Sequence, residues 1–468
     1  MISRIDGAVR PKIVPPLHPE FIPAVLWNRA YRDAAAADGG SVPLAIGLER
    51  ADGSISRFQT IVFPPEHPLF EAGLRHAERL VKSLLWMWGG YKVYVGGPAT
   101  LGEMIQKTFS RRGERAFDAA LMSTAYDRKF IVEVTAADRV PPALEKTRPL
   151  GRHLDGCRIG FDLGASDRKV SAVVEGETVF SEEVPWDPGN QSNPLYHYHQ
   201  IMSGLHQAAS HLPRVDAVGG SAAGIYIDNR AMVASLFRGI PRTEFRKKIK
   251  PMFLRMRRKW KAPFEVVNDG EVTALAGSMS LNANRVLGIA LGSSQAGGYV
   301  DDEGHITGWL NELAFVPVDL NPAAPVDEWS GDAGCGVQYF SQQAVFRLAG
   351  KAGIGLGEEM AAVDKLKTVQ DLLHGDDERA RLVFETIGCY LGYGIGHYAD
   401  YYDIAHALIL GRVTSGEAGP VILEKARQVL KAEFPDLAGR MSLHLPDEKS
   451  RRVGQAVAAA SLPVAERT

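Results

Sequence analysis

Arg158-Ile159-Gly160-Phe161-Asp162-Leu163-Gly164-Ala165-Ser166-Asp167-Arg168-Lys169-Val170 reads as an apolar strand that ends on an acid, turns at a glycine and restarts with hydroxyl and basic groups. A carboxylate at a strand end beside a small-residue turn suits Mg²⁺ and a nucleotide phosphate, because such a turn lets backbone N–H groups reach an anion. Asp-X-Gly is equally an ordinary hairpin turn. The segment gains its weight from the order of what surrounds it.

Downstream, strands are predicted at 158–163, 169–174 and 177–184, then a helix over about 193–211 and a strand running into the glycine loop 217–224. A basic helical region and the strand Phe264-Glu265-Val266-Val267 follow. A second start of the same kind begins at 285–291 and continues as a hairpin through 298–306; helices dominate 336–400, and a strand over 407–410 enters Gly411. Two strand-hairpin starts, each with a glycine turn, predict two lobes of like construction facing a cleft. Upstream, a proline-bearing arm and an alanine-rich helix precede strands at 42–49 and 56–63, a long amphipathic helix over about 68–88, a strand at 91–95, a helix from about 101 and a strand at 130–134. The expected division is an arm and accessory α/β unit over 1–150, a first lobe over 151–280 with a helix at 449–462 returning to it, and a second lobe over 281–448, with a linker near 139–156.

The composition is that of an ordinary soluble globular chain: 468 residues, 45% hydrophobic, 23% charged and a net charge of −2. Nothing in that balance points to nucleic acid or membrane, and no apolar run approaches the ~18 residues of a membrane span. Cys157, Cys335 and Cys389 are odd in number and far apart, which argues against a disulfide framework and for a reducing compartment, so a cytoplasmic location is expected.

Four stations carry the chemistry. After the Asp162 turn comes Asn268-Asp269-Gly270, at the end of a buried-type strand and the start of a helix, where a carboxylate can take a proton from a substrate hydroxyl; the same tripeptide also serves as a helix N-cap. Third is Leu291-Gly292-Ser293-Ser294-Gln295-Ala296-Gly297-Gly298, small residues able to approach a phosphate chain closely, or a plain hairpin. Fourth is Gly411-Arg412-Val413-Thr414-Ser415-Gly416, a turn against which a nucleobase can lie.

In that order the stations resemble the sugar kinase/actin/heat-shock ATPase superfamily and, within it, the ROK family of repressors, uncharacterised frames and sugar kinases, over about 157–462. Gly219-Gly220-Ser221-Ala222-Ala223-Gly224 resembles the family's glycine/proline loop, and Arg452-Val453-Gly454-Gln455-Ala456-Val457 its terminal helix. The resemblance implies two actin-like (ribonuclease H-like) α/β lobes around a cleft. It implies transfer of the γ-phosphate of ATP to a sugar hydroxyl, with Asp269 as base and Asn268, Glu312 and Gly224 on the sugar. Asp162, Gly164, Ser166, Gly292, Ser293, Ser294, Gly297, Gly411 and Arg412 would hold the nucleotide, and Asp162 would hold Mg²⁺ through water. The alternative on the same fold is a catalytically silent sugar-binding or regulatory protein. A small-molecule sugar is the expected partner, a homodimer is compatible with the resemblance, and a nucleic-acid partner is not expected.

The departures are specific. Ala165 and Asp167 stand where the first phosphate motif has Gly and Lys, Ser294 replaces a glycine in the second, and Arg412 replaces one in the adenosine turn. The family's histidine falls on Phe315, and its zinc cluster falls on Glu328-Trp329-Ser330-Gly331-Asp332-Ala333-Gly334-Cys335, where one cysteine survives. A structural zinc takes about four soft or imidazole ligands, so no zinc is expected there. Residues 242–261 hold ten Lys or Arg against one Glu, read as a solvated basic face. His197, His199, His206 and His211 are read as surface or capping residues, and Leu84-Leu85-Trp86-Met87-Trp88 as core. Val93-Tyr94-Val95-Gly96-Gly97-Pro98 resembles the family's adenosine turn and admits two readings, a common turn or a duplicated or permuted fragment of the same fold.

Overall fold

The computed structural model describes residues 5–146, 149–446 and 448–465, the side chains of 448–453 excepted. The arm leads into helix α1 (Ala24–Asp38), followed by β1 (Val42–Glu49), β2 (Ile55–Val62), α2 (Phe70–Met87), β3 (Lys92–Gly96), α3 (Ala99–Thr108), α4 (Ala116–Tyr126) and β4 (Ile131–Thr135). In α2 the apolar residues Ala77, Leu80, Val81, Leu84 and Leu85 recur three and four apart and are all buried, which is why this stretch forms an amphipathic helix on the sheet. The sheet order is β2-β1-β3-β4. Because β3 runs antiparallel to β1, the unit departs from the lobe topology described next, where the strand after the hairpin pairs parallel to the first strand. This departs from a plain duplication of the lobe, and Gly96-Gly97-Pro98 is a strand-to-helix turn.

The first lobe is built on β5 (Cys157–Leu163), β6 (Asp167–Val174), β7 (Glu177–Pro185), β8 (Ala217–Ala222) and β11 (Phe264–Asn268), in the order β11-β8-β5-β6-β7. Strands β5, β8 and β11 are parallel, and β6 and β7 are antiparallel neighbours. Helix α5 (Pro194–Ala209) packs on this sheet, a short ribbon, β9 (Ile225–Ile227) with β10 (Arg230–Val233), follows β8, and α6 (Met252–Trp260) precedes β11. The basic stretch behaves as read: Met252, Phe253 and Met256 face inward while Arg257, Arg258 and Lys259 are exposed. His197 differs from its surface reading, since it is buried and its Nε2 lies 2.9 Å from the Pro188 carbonyl.

The second lobe repeats the opening. Helix α7 (Asp269–Leu281) leads to β12 (Val286–Leu291) and β13 (Gln295–Val300), an antiparallel hairpin, and then β14 (His406–Leu410) and β15 (Ser442–His444) join parallel. A third hairpin strand is reduced to single bridges, Ile306 meeting Val300 and Leu150. Helices α8 (Gln342–Lys351), α9 (Ala362–His374), α10 (Glu378–Tyr398) and α11 (Ala418–Glu433) cover this sheet. The closing helix α12 (Glu448–Ala460) lies against the first-lobe sheet so closely that a Cβ at Gly160 or Gly219 would fall 1.9 Å or 1.7 Å from the carbonyl oxygens of Ala456 or Ala459. Of the terminal-helix motif, the side chains of Arg452 and Val453 lie outside the described residues.

Candidate active site

Parallel strands bring their carboxyl ends to one edge, and three of the expected residues follow from that alone. Asp162 on β5 stands opposite Ser221 on β8, and its Oδ1 accepts a 2.6 Å hydrogen bond from the Ser221 hydroxyl. Burial raises the Asp162 carboxyl above the ordinary range; the Ser221 bond and Lys169 act the other way, and the charge of Asp167 adds to the rise. Asn268 ends β11 beside Ala222. Its carboxamide caps α7, Oδ1 accepting from Gly270 N at 2.7 Å and Nδ2 donating to the Gly224 carbonyl at 2.8 Å. The capping reading is thus realised, and it ties Gly224 to Asn268.

Asp269 opens α7, half-buried, with Oδ1 accepting from Gly270 N at 3.0 Å. Burial and the Asp162 charge push its carboxyl up to about 6, against the backbone bond to Gly270. Glu312, on a loop of the second lobe, is pushed up to about 7 by burial and by the Asp269 charge. The three acids thus share one electrostatic neighbourhood across the cleft. A fourth belongs with them and went unsingled in the sequence: Glu271, 8% exposed, raised to about 8 chiefly by burial while hydrogen bonds from Asn311 and the Asn268 backbone oppose the rise. Its signal was available, because Asn268-Asp269-Gly270-Glu271 is an N-cap followed three residues on by glutamate.

In the second lobe β12 and β14 run side by side, Ala290 opposite Leu410, so the turns after them are adjacent. Gly411 has φ 103°, and a Cβ there would lie 2.3 Å from the Leu291 carbonyl, so only glycine fits. Gly292 donates to the Ser294 carbonyl at 2.9 Å, and Ser293 and Ser294 are exposed at the tip. In the first turn Gly164 donates to the Asp167 carbonyl at 3.0 Å and Ser166 is exposed. Gly297 is not brought to these loops. It lies within β13, and a Cβ there would meet Leu313 Cγ at 2.6 Å and the Asn311 carbonyl at 2.7 Å, which makes it a packing glycine behind the acid loop.

Two cavities flank the first turns of α7. One, of about 130 Å³, is lined by Gly224, Asn268, Glu271 and Glu312 together with Arg50 and Tyr126 of the N-terminal unit. The other, of about 560 Å³, is lined by Lys169, Thr273, Gly277, Gly411, Arg412 and His444. Asp269 itself lines neither: its neighbours Asn268 and Glu271 face the first cavity, and Thr273, one helical turn on with its hydroxyl donating to the Asp269 carbonyl at 2.8 Å, faces the second.

At the position of the family's zinc cluster the chain makes a tight turn, Ser330 N donating to Asp327 Oδ2 at 2.7 Å and Asp327 N to the Asp332 carbonyl at 2.8 Å. Asp332 is ion-paired to Arg79 at 2.9 Å, Arg115 at 2.6 Å and Lys82 at 2.6 Å. Phe315, at the histidine position, lies against Trp86 with ring centroids 4.2 Å apart. Among the described residues no group of three or more His, Cys, Asp or Glu is placed to hold a metal ion, and no helix is long and apolar enough to cross a membrane.

No protein-family model matches the chain, and no curated protein does. Solved structures do. A ROK hexokinase from Thermus thermophilus superposes with a TM-score of 0.52 at 18% identity, over 65% of this chain and 97% of that one. A ROK family transcriptional regulator, a homolog of the E. coli MLC protein, gives 0.51 at 17% identity, over 69% of this chain and 82% of that one. The two lobes therefore have the fold of ROK proteins.

Proposed function

We propose that this chain is a ROK-type sugar kinase in which Asp269 takes the proton from a sugar hydroxyl as that oxygen attacks the γ-phosphate of ATP. The observation that carries the reading is the position of Asp269, half-buried at the head of α7 in the electrostatic reach of Asp162 and Glu312, with Asn268 before it facing one cavity and Thr273 one turn on facing the other. Phosphoryl transfer asks the protein mainly for alignment and charge stabilisation, and a base between an acceptor cavity and a nucleotide cavity is the geometry it requires. A carboxyl raised to about 6 is ionised at neutral pH and still basic enough to accept a proton.

Glu312 and Glu271, on the acceptor side, would receive hydrogen bonds from sugar hydroxyls or, when protonated, donate to ring oxygens. On the other side, the exposed turns at 164–166 and 292–294 and the Gly411 turn would take the phosphates and adenosine, with Lys169 and Arg412 the cations at hand. Asp162 would carry Mg²⁺ through water. The Asp162 charge raises the proton affinity of Asp269; Mg²⁺, when bound, would offset that repulsion and supply stabilisation of charge on the transferred group. Asn268 serves as the cap that aims Asp269.

A second reading is favoured by the regulator's equal likeness: a sugar-responsive regulatory protein without transfer activity, its Arg412 occupying adenosine space. Calorimetry with Mg²⁺-ATP separates the two, since heat of binding at submillimolar nucleotide supports the kinase and its absence at millimolar nucleotide leaves the regulator. ADP release over a hexose panel, abolished in Asp269→Asn, is the companion result expected.

A further inference from the structure

The loop that presents Glu312 is held from outside the two lobes. Asn311 N donates to the Met87 carbonyl and Glu312 N to the Trp86 carbonyl, both at 2.9 Å, so the backbone on either side of the acid is pinned to the C-terminal end of α2. Trp86 lies on Phe315, and Trp88 on Trp309 with centroids 5.5 Å apart. Further along, Val318 N donates to the Gly334 carbonyl at 2.8 Å and Gly336 N to the Val316 carbonyl at 2.9 Å, which ties the 327–335 turn back onto the same loop.

That turn ends in a buried charge cluster. Asp332, its side chain 6% exposed, meets Arg79, Lys82 and Arg115, whose side chains are 9%, 0% and 8% exposed. Glu78 pairs with Arg79 and Arg115, and Asp118 lies 3.4 Å from Lys82. Three cations therefore face three buried acids, with the exposed Glu114 also 3.0 Å from Arg115, and all but Asp332 are carried by the N-terminal unit. Cys335 is buried beside them, its Sγ 3.7 Å from the Asp332 carbonyl. The cluster falls on the segment where the resemblance placed a metal, and the groups there do not fit one: the acid that could ligate is occupied by three cations, and the lone thiol is pushed up to about 12 by burial, so it is not a thiolate at neutral pH.

We infer that the N-terminal unit takes over the task a structural metal would perform, its Arg79-Lys82-Arg115 cluster clasping Asp332 so that Glu312 stays fixed at the wall of the acceptor cavity. The three cations and Asp332 are positioning residues. The unit is thereby an integral wall of the acceptor site, and its contribution to sugar handling rests on the kinase reading above; the clasp itself does not.

Hydrogen exchange followed by mass spectrometry tests it without substrate. In Asp332→Asn, exchange of the 309–318 backbone should quicken at least tenfold while the five-stranded sheet keeps its protection, and Asp332→Glu should restore most of the loss. A chelator such as 1,10-phenanthroline should leave the wild-type pattern unchanged. Unchanged exchange in Asp332→Asn, or wild-type protection lost on chelation, overturns the clasp. If Asp332→Asn loses its circular dichroism signal, Arg115→Gln, which leaves Arg79 and Lys82 on the acid, gives the same comparison. With a hexose turned over, Arg115→Gln should raise KM several-fold with kcat changed less than twofold; exchange behaving as expected with no turnover in any variant would refute the kinase and leave the clasp standing.

Discussion

At the level of single residues, Asp269 gives the most discriminating expectations. Replacing a positioned base lowers rate about 10²–10⁴-fold, and Asp269→Asn also removes a charge that repels Asp162 and Glu312. The variant should therefore be at least as resistant to urea as the parent while losing transfer activity, and a parallel loss of both would mark Asp269 as structural. Because the base must be ionised, kcat should fall as pH drops through about 6. Stability has its own pH dependence. Glu271 and Glu312 hold protons up to about 8 and 7 in the folded chain, against the ordinary range near 4 when unfolded. Between those limits the native state binds more protons than the unfolded one. Their contribution to stability is thus full at acid pH and is lost as pH rises towards 8, at roughly 1.4 kcal/mol per pH unit and group at the steepest. Urea midpoints measured from pH 5 to 8.5 should decline, and Glu271→Gln should flatten the decline.

At the level of elements, the alternation of strand and turn made both lobes legible from Asp162 and Gly411 outward, because hydrophobic period and glycine punctuation are local properties. What stayed hidden was not local. Period does not encode strand direction, so the antiparallel seating of β3 on β1 could not be read from Val93-Tyr94-Val95. Gly297 looked like part of a phosphate turn because it follows one, and only the packing of Leu313 against it shows otherwise. The partners of Asp332 are further still, Arg79 lying 253 residues away in the chain. The legible elements also make a test. Gly219→Ala would place a carbon 1.7 Å from the Ala459 carbonyl, where backbone must move, so a loss of about 1–3 kcal/mol by denaturant unfolding is expected, with exchange in α12 quickened.

For the molecule as a whole, one apolar core runs from the N-terminal unit, through Leu84 and Trp86, into the second lobe at Leu313, Phe340 and Tyr390. The arm is stitched into the same lobe, Ala24 N donating to the Val318 carbonyl at 2.9 Å and Leu17 N to Thr386 at 3.2 Å. A chain shortened to 151–468 would expose Trp309 and Phe315 to water and should accumulate as aggregate, whereas the intact chain should melt the N-terminal unit and second lobe in one transition. Mg²⁺-ATP at a hundred times its Kd should add about 2.7 kcal/mol to the stability of the intact chain.

The two seams of the N-terminal unit are unequal. Against the second lobe it is joined by the tilted ring contacts of Trp86 with Phe315 and Trp88 with Trp309 and by the Asp332 ion pairs. Towards β9 and β10 the described residues give the ion pair of Lys250 with Asp127 at 3.0 Å, where the Asp127 side chain is 74% exposed. On the sugar-kinase reading proposed above, parting of the lobes should carry the unit with the second lobe and open the Lys250–Asp127 seam. The rim between Tyr126 and Ile225 would then be the doorway for an incoming sugar, its traffic metered by a surface neither lobe owns.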